Sequence, residues 1–346
     1  MPSLIQILGP IAPGQSTTYT FLATQFGSSW YHSHHSSQYG DGVFGPIVID
    51  GPTSANWDID LGPLTVSDWY QQTAAAVDML TQDALTNGGA GPVASNILLN
   101  GTNKATSGNA GQNLKVKLTT GKRHLLRVVN TSVNGAFRLS LDGHNITLVT
   151  SDFVPIQPLT VESVMINIGQ RYEMIIEANQ TPSNYWFRAE IEGFGCYSSN
   201  DGTGMGIFTY SGVKEATPTT QKTYTNGAQF LGDCHEPSPL VPWVQNTVGS
   251  QQEFISQAEN LNVSLLLPHV GTNQQNIVVW GINDKQIDVN WGKPILSYVM
   301  ENNNSFPATE NVIELANEGE WMFWIIQQVA DDGVAAPIPH PIHLHG

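Results

Sequence analysis

The sequence predicts an all-β protein assembled from sandwich or barrel domains. Charged residues make up only 12% of the 346 residues, while Gly (33) and Pro (20) are plentiful. That balance suits a chain with many turns and argues against coiled coil or disorder. Short apolar or alternating runs recur at regular spacing between turn signals, the signature of packed β-sheets. The length allows two or three domains with sizeable cores.

In chain order, residues 16–24, 28–34 and 43–50 read as strands, after a turn at Pro10-Ile11-Ala12-Pro13-Gly14. Gly40, Gly42 and Gly45 punctuate this stretch where the backbone turns tightly. From 61 to 212 the strand-like runs are 64–70, 96–100, 114–118, 123–129, 138–141, 146–149, 164–168, 172–177, 185–190 and 206–210. Residues 74–83 read as a short helix, and Asp142-Gly143-His144 as a hairpin turn. Residues 213–251 hold a Pro-, Thr- and Gln-rich connection. From 252 to 346 the strand-like runs are 263–267, 278–280, 312–315 and 321–328.

Six of the ten histidines fall in two short clusters, His32-Ser33-His34-His35 and His340-Pro341-Ile342-His343-Leu344-His345. Neutral imidazole is a versatile ligand for copper, zinc and iron. In an extended chain, side chains at i and i+2 share a face. His32 therefore projects with His34, and His343 with His345. Pro341 lacks an N–H and favours a strand edge or loop, which lets His340 face a separate neighbouring site. The spacing points to metal, and by itself leaves zinc open beside copper. His124, His144, His235 and His269 stand alone and read as structural or surface groups. His35 falls on the opposite face from His34 and reads as exposed or supporting.

The flanks of these clusters resemble a known family. Trp30-Tyr31-His32-Ser33-His34, followed by Gln38-Tyr39-Gly40-Asp41-Gly42 and Gly45-Pro46-Ile47, is similar to the second copper-binding segment of the multicopper oxidases. His340 to Gly346 resembles their third segment, H-P-x-H-L-H-G. Gly169-Gln170-Arg171-Tyr172 and Asn184-Tyr185-Trp186 extend the likeness through the middle of the chain. The overall resemblance is to laccases of ascomycete fungi.

That resemblance implies consecutive cupredoxin-like Greek-key β-sandwich domains. Residues 1–52 would be the end of a first domain, 61–212 a second, 213–251 the interdomain connection and 252–346 the start of a third, the first and third being incomplete. It implies one type 1, one type 2 and two type 3 coppers. His340 would ligate the type 1 copper, His343 the type 2 copper, and His32, His34 and His345 the type 3 coppers. Asp41 would hydrogen-bond near the cluster. Asp152 would take up the proton that a phenol releases as it loses an electron; the rival reading is an ordinary turn aspartate. The implied reaction couples one-electron oxidation of phenolic or aromatic small molecules to reduction of O2 to water. A ferroxidase, or a non-enzymatic copper-binding protein, are the alternatives. The family also carries H-W-H-G before the second segment and H-C-H-x-x-x-H after the third. The chain is accordingly expected to be a laccase fragment, with half of the histidine ligands and no type 1 thiolate, and inactive on phenols by itself.

A formal charge of −16 argues against nucleic acid or an anionic membrane as partner. No apolar run reaches the roughly 18 residues of a membrane helix, and the first residues lack the pattern of a signal peptide. The two cysteines, Cys196 and Cys234, fit no zinc pattern; the resemblance implies a disulfide between them, against two buried free thiols. Sequons at Asn100, Asn130, Asn145, Asn179, Asn262 and Asn303 permit secretion. A secreted, extracellular monomer is the expectation.

Overall fold

The computed structural model describes residues 10–191, 200, 202–224, 240–267, 269–270, 275–315, 319–329 and 340–345. Cys196, Cys234 and His235 lie outside them. A first ladder pairs β1 (Gly27–His32) with β2 (Phe44–Ile49) antiparallel. Next come β3 (Ile59–Trp69), helix α1 (Ala74–Thr86), β4 (Asn96–Leu99), β5 (Leu114–Leu118), β6 (Arg123–Asn130) and β7 (Phe137–Leu141). Then follow β8 (Ile146–Ser151), β9 (Val154–Val161), β10 (Val164–Ile166), β11 (Arg171–Glu177), β12 (Asn184–Ile191) and β13 (Thr203–Tyr210). These form a six-stranded sheet, β4-β3-β6-β11-β8-β9, and a five-stranded sheet, β10-β7-β12-β13-β5.

The main core lies between those two sheets. Leu64, Val66, Leu126, Val128, Tyr172 and Met174 from one meet Phe137, Leu139, Phe187 and Phe208 from the other. Alternation along β6 explains why this strand is buried on both sides. Leu126 and Val128 face the core, while Leu125 turns outward to pack with Val149, Ile175 and the partly buried Ala55. A strand covered on both faces carries apolar residues on both, and Leu125-Leu126 and Val128-Val129 each give β6 one apolar side chain per face.

Farther along, α2 (Gln251–Gln257) leads into β14 (Ala258–Leu266). Two short strands pair, β15 (His269–Val270) with β16 (Gln275–Asn276). β17 (Val279–Ile282), α3 (Ile295–Met300) and β18 (Phe323–Gln328) complete the elements, and β17-β14-β18 form a three-stranded sheet. α2 begins with a capping box in which Ser250 and Glu253 satisfy each other's backbone N–H groups. The Gln82 amide in α1 exchanges two hydrogen bonds with the Val278 backbone, at 2.9 and 3.1 Å, and so joins the helix to this last sheet.

The outer face of the six-stranded sheet holds β1 in place. Ser28 donates to Glu173 Oε1 at 2.7 Å, and Thr150 donates to Oε2 at 3.0 Å. Arg127 pairs with the same carboxylate and also grips Asp60 through Nε and Nη2, at 3.0 and 2.8 Å. Ser28, Arg127 and Glu173 are all buried. Arg171 adds a bond from Nε to the Ser28 carbonyl at 3.2 Å. A charged pair out of water is tolerated only when each group is matched, and here each one is.

Several expectations are corrected. Residues 16–24 and 312–315 form no strand, because no neighbouring chain among the described residues completes a ladder with them. β9 escaped the sequence reading because Pro155 and Pro158 interrupt it; as the sheet's edge strand it tolerates them. The Asp142-Gly143 turn exists, with Gly143 at φ +71°, but it is no hairpin. β7 belongs to the five-stranded sheet and β8 to the six-stranded one, so the turn carries the chain across the sandwich. Asp142 is held there by Arg188 through two bonds, at 2.8 and 2.9 Å.

Glu173→Ala would leave Arg127 charged and unmatched in a dry site. Breaking a buried pair in this way costs about 3–5 kcal/mol. Urea unfolding should show a loss of that size, whereas a loss under about 1 kcal/mol, the scale of a surface ion pair, would mean that the network does not anchor β1.

Candidate metal centre

His32 is the last residue of β1, and the Ser33 N–H continues the ladder to the Val43 carbonyl at 2.8 Å. His34 lies just past the strand rather than inside it, yet its ring remains beside that of His32, with centroids 5.9 Å apart. His32 Nδ1 sits 2.9 Å from the Ser33 carbonyl. A carbonyl only accepts, so Nδ1 carries the proton and Nε2 keeps its lone pair free. Trp30, two residues back on the same face, stacks on His32 at 4.2 Å. Tyr39 meets both rings edge-on, at 5.4 Å from His32 and 5.9 Å from Trp30. Burial, followed by Asp68 and Asp78, pushes the Tyr39 phenol up to about 12, so it stays protonated beside the imidazoles.

The second cluster forms no ladder with the other described residues. His343 and His345 nonetheless project together, their Nε2 atoms 2.7 Å apart. His345 also approaches His34, with ring centroids 5.5 Å apart. Four rings thus stand in sequence: His32, His34, His345, His343. Two stretches about 300 residues apart supply them.

The electrostatics favour the neutral form of three of these rings. Burial lowers the pKa of His32, His343 and His345, and neighbouring imidazoles lower each one further; His345 falls to about 4. A neutral imidazole is the form that ligates a metal. Among the described residues, no three His, Cys, Asp or Glu side chains gather as a complete set for one ion. The rings are strung out side by side rather than converging on one point.

The other candidate residues separate from this row. His340 packs its ring against Trp280 at 4.4 Å, and burial lowers its pKa. Asp152 occupies the turn between β8 and β9 with φ +54°. Its side chain, 47% exposed, pairs with Arg171 at 3.0 Å. Both groups act electrostatically on His343. Asp41 points elsewhere: its Oδ1 accepts the Ala74 N–H at 2.7 Å, which places a carboxylate at the start of α1. His35 is exposed and meets Trp291 at 4.7 Å. His124 and His144 are buried structural groups, the latter bonded to the Tyr210 hydroxyl at 2.7 Å. Sequence reasoning missed Trp30, Tyr39 and Arg171 as neighbours of the row. The W-x-H alternation could have revealed Trp30; the others depend on tertiary packing.

A β-sandwich protein that lines up imidazoles from two distant segments has the makings of a multinuclear metal protein. Comparison with known proteins gives the group. Three family models described as multicopper oxidase match residues 7–54, 60–213 and 274–346. Laccase-3 of Botryotinia fuckeliana is 46% identical over 345 residues, covering 97% of this chain and 73% of the relative. A laccase of Neurospora crassa is 40% identical over 339 residues, covering 97% and 51%. The crystal structure of the laccase from Botrytis aclada superposes with a TM-score of 0.80 at 33% identity, covering 93% of this chain and 57% of that one. The chain belongs to the multicopper oxidase family, with the cupredoxin-like β fold and the copper dependence that membership implies. It spans between about half and three-quarters of the length of these relatives.

In the metal-free protein, His345 should titrate far below an ordinary histidine. Nitrogen-detected NMR is predicted to show its midpoint near pH 4 instead of the usual 6.5. The unfolded chain takes up this proton first as pH falls below 6.5, so stability should decline between there and pH 4. A midpoint close to 6.5 would show that the rings are not crowded together.

Proposed function

We propose that this chain supplies part of the copper machinery of a laccase, which oxidises phenolic or other aromatic small molecules by one electron and reduces O2 to water. The observation that supports this reading best is the row His32, His34, His345, His343. The donors fit copper. They are borderline nitrogen ligands, and the ring contacts of the row bring in no carboxylate, which harder ions prefer. In this reading His32, His34 and His345 hold the type 3 coppers, His343 the type 2 copper and His340 the type 1 copper. Bound copper would supply the electron transfer.

The chain's own residues do the positioning. Ser33 fixes the His32 tautomer, Trp30 holds the ring plane, and the Glu173 network holds the strand. Asp152 is assigned as the proton acceptor for phenols, on the strength of its half-open carboxylate and its tether to Arg171. The three-domain division into 1–52, 61–212 and 252–346, joined by 213–251, belongs to the same reading. It is supported by the separate sheets and the three matched stretches. No helix among the described residues is long and apolar enough to cross a membrane, and a secreted, monomeric enzyme is proposed.

In the full-length gene product, His343→Ala combined with His345→Ala should cut copper content and abolish phenol-dependent O2 uptake. Full copper and full turnover in that variant would refute the ligand assignment. Asp152→Asn should lower kcat/KM for phenols by about 10²-fold or more, the scale of general base catalysis. It should leave ferrocyanide, a donor with no proton to lose, nearly unaffected. An equal loss on both donors would assign Asp152 to structure alone. Fractionation of the producing culture tests location: activity confined to cells would contradict secretion.

A further inference from the structure

The fold sorts the six sequons. Asn130 is fully buried, and its amide nitrogen donates to the Gly135 and Ile166 carbonyls at 2.7 and 3.1 Å. Its carbonyl oxygen accepts the Ser132 N–H at 3.0 Å. A sugar takes one of that nitrogen's two hydrogens, which leaves one of the two carbonyls unmatched, and it needs room where Asn130 is 0% exposed, so a molecule glycosylated there cannot close the sandwich. Asn100 is exposed, but its amide is engaged, donating to the Pro63 carbonyl at 3.2 Å and accepting the Thr65 N–H at 2.7 Å. Asn262 and Asn303 are half-buried.

Asn145 and Asn179 differ from all four. Both are exposed, and neither amide nitrogen donates to an acceptor among the described residues; the Asn179 amide oxygen accepts from Gln180 Nε2 at 2.9 Å, which leaves its nitrogen free. The antiparallel register Ile176↔Ile146 brings the end of β11 beside the start of β8. Two sequons more than 30 positions apart in the chain therefore sit at one end of the six-stranded sheet. They line the same groove of about 360 Å³, with Arg123, Thr147, Thr160 and Glu177 as further walls. The polar groove gives the first sugars of each chain hydrogen-bonding partners, and none of the row's histidines lines it.

We propose that Asn145 and Asn179 both carry N-linked oligosaccharides on this groove, while the Asn130 sequon stays unmodified in every folded molecule. The inference rests on the secretory location proposed above. The donor is an oligosaccharide linked to a polyisoprenyl pyrophosphate. The asparagine Nδ2 attacks C1 of the first N-acetylglucosamine and the N–C1 bond forms. The C1–O bond to pyrophosphate breaks, the amide gives up one proton, and the lipid pyrophosphate departs.

The test sends the full chain through the yeast secretory route behind a cleavable leader. Because the leader supplies the route, a failure here is separable from an error in the natural location. Enzymatic deglycosylation in heavy-oxygen water, followed by peptide mass mapping, marks each asparagine that bore a sugar. The expected result is label at Asn145 and Asn179 and none at Asn130. Asn145→Gln and Asn179→Gln should each remove one oligosaccharide from the intact mass, and the double variant two. Label at Asn130 in soluble, folded protein would overturn the proposal. So would secreted protein unlabelled at Asn145 or at Asn179.

Discussion

A carboxylate with no access to water organises this molecule. Glu173 lies on the outer face of the six-stranded sheet and gathers Ser28, Thr150 and Arg127, while Arg127 reaches on to Asp60. Through Ser28 that cluster fixes β1, and β1 ends on His32. The two-stranded β1-β2 ladder has little core of its own, since a lone hairpin is marginal in water. Its position is therefore set from outside, by a charged pair that tolerates no missing partner. The direction of the first imidazole is set from Ser28, four positions before it in the strand.

From that anchor the site assembles by short-range contacts. Ser33 chooses the tautomer of His32, Trp30 sets the plane of its ring, and Tyr39 closes the edge. The second cluster has no ladder to hold it. Its rings are placed by contact with the first cluster, His345 against His34, and by mutual contact between His343 and His345. A metal bound between such rings would order them more firmly than packing does, as is usual where ligands come from distant segments. Arg171 joins the two regimes. It bonds the Ser28 backbone, pairs with Asp152, and influences His343.

Much of this was legible in the sequence, for physical reasons that can be stated. Period-two alternation and continuous apolar runs located most strands between 61 and 212, because those strands face one well-filled core. The helix at Ala74–Thr86 was visible, and Thr73 caps it. Two kinds of feature were hidden. Strand partnership does not show in local pattern: residues 16–24 have the composition of a strand without a neighbour, and β9 has a neighbour despite two prolines. Sheet membership was hidden as well, so the Asp142-Gly143 turn looked like a hairpin when it crosses between layers. At the site, the i, i+2 histidine spacing foretold which rings project together. It could not foretell that Arg171 stands beside His343, or that Asp41 serves the start of α1.

The central claim is that two segments some 300 residues apart build one copper site. A double-mutant cycle on copper affinity tests it most directly. His34→Ala and His345→Ala, singly and together in the full-length gene product, would be compared by competition against a copper chelator. Rings that share a site act on the same ions, so the losses should be strongly non-additive, with a coupling of about 1 kcal/mol or more. Losses that simply add would place the two histidines in separate sites and contradict the account.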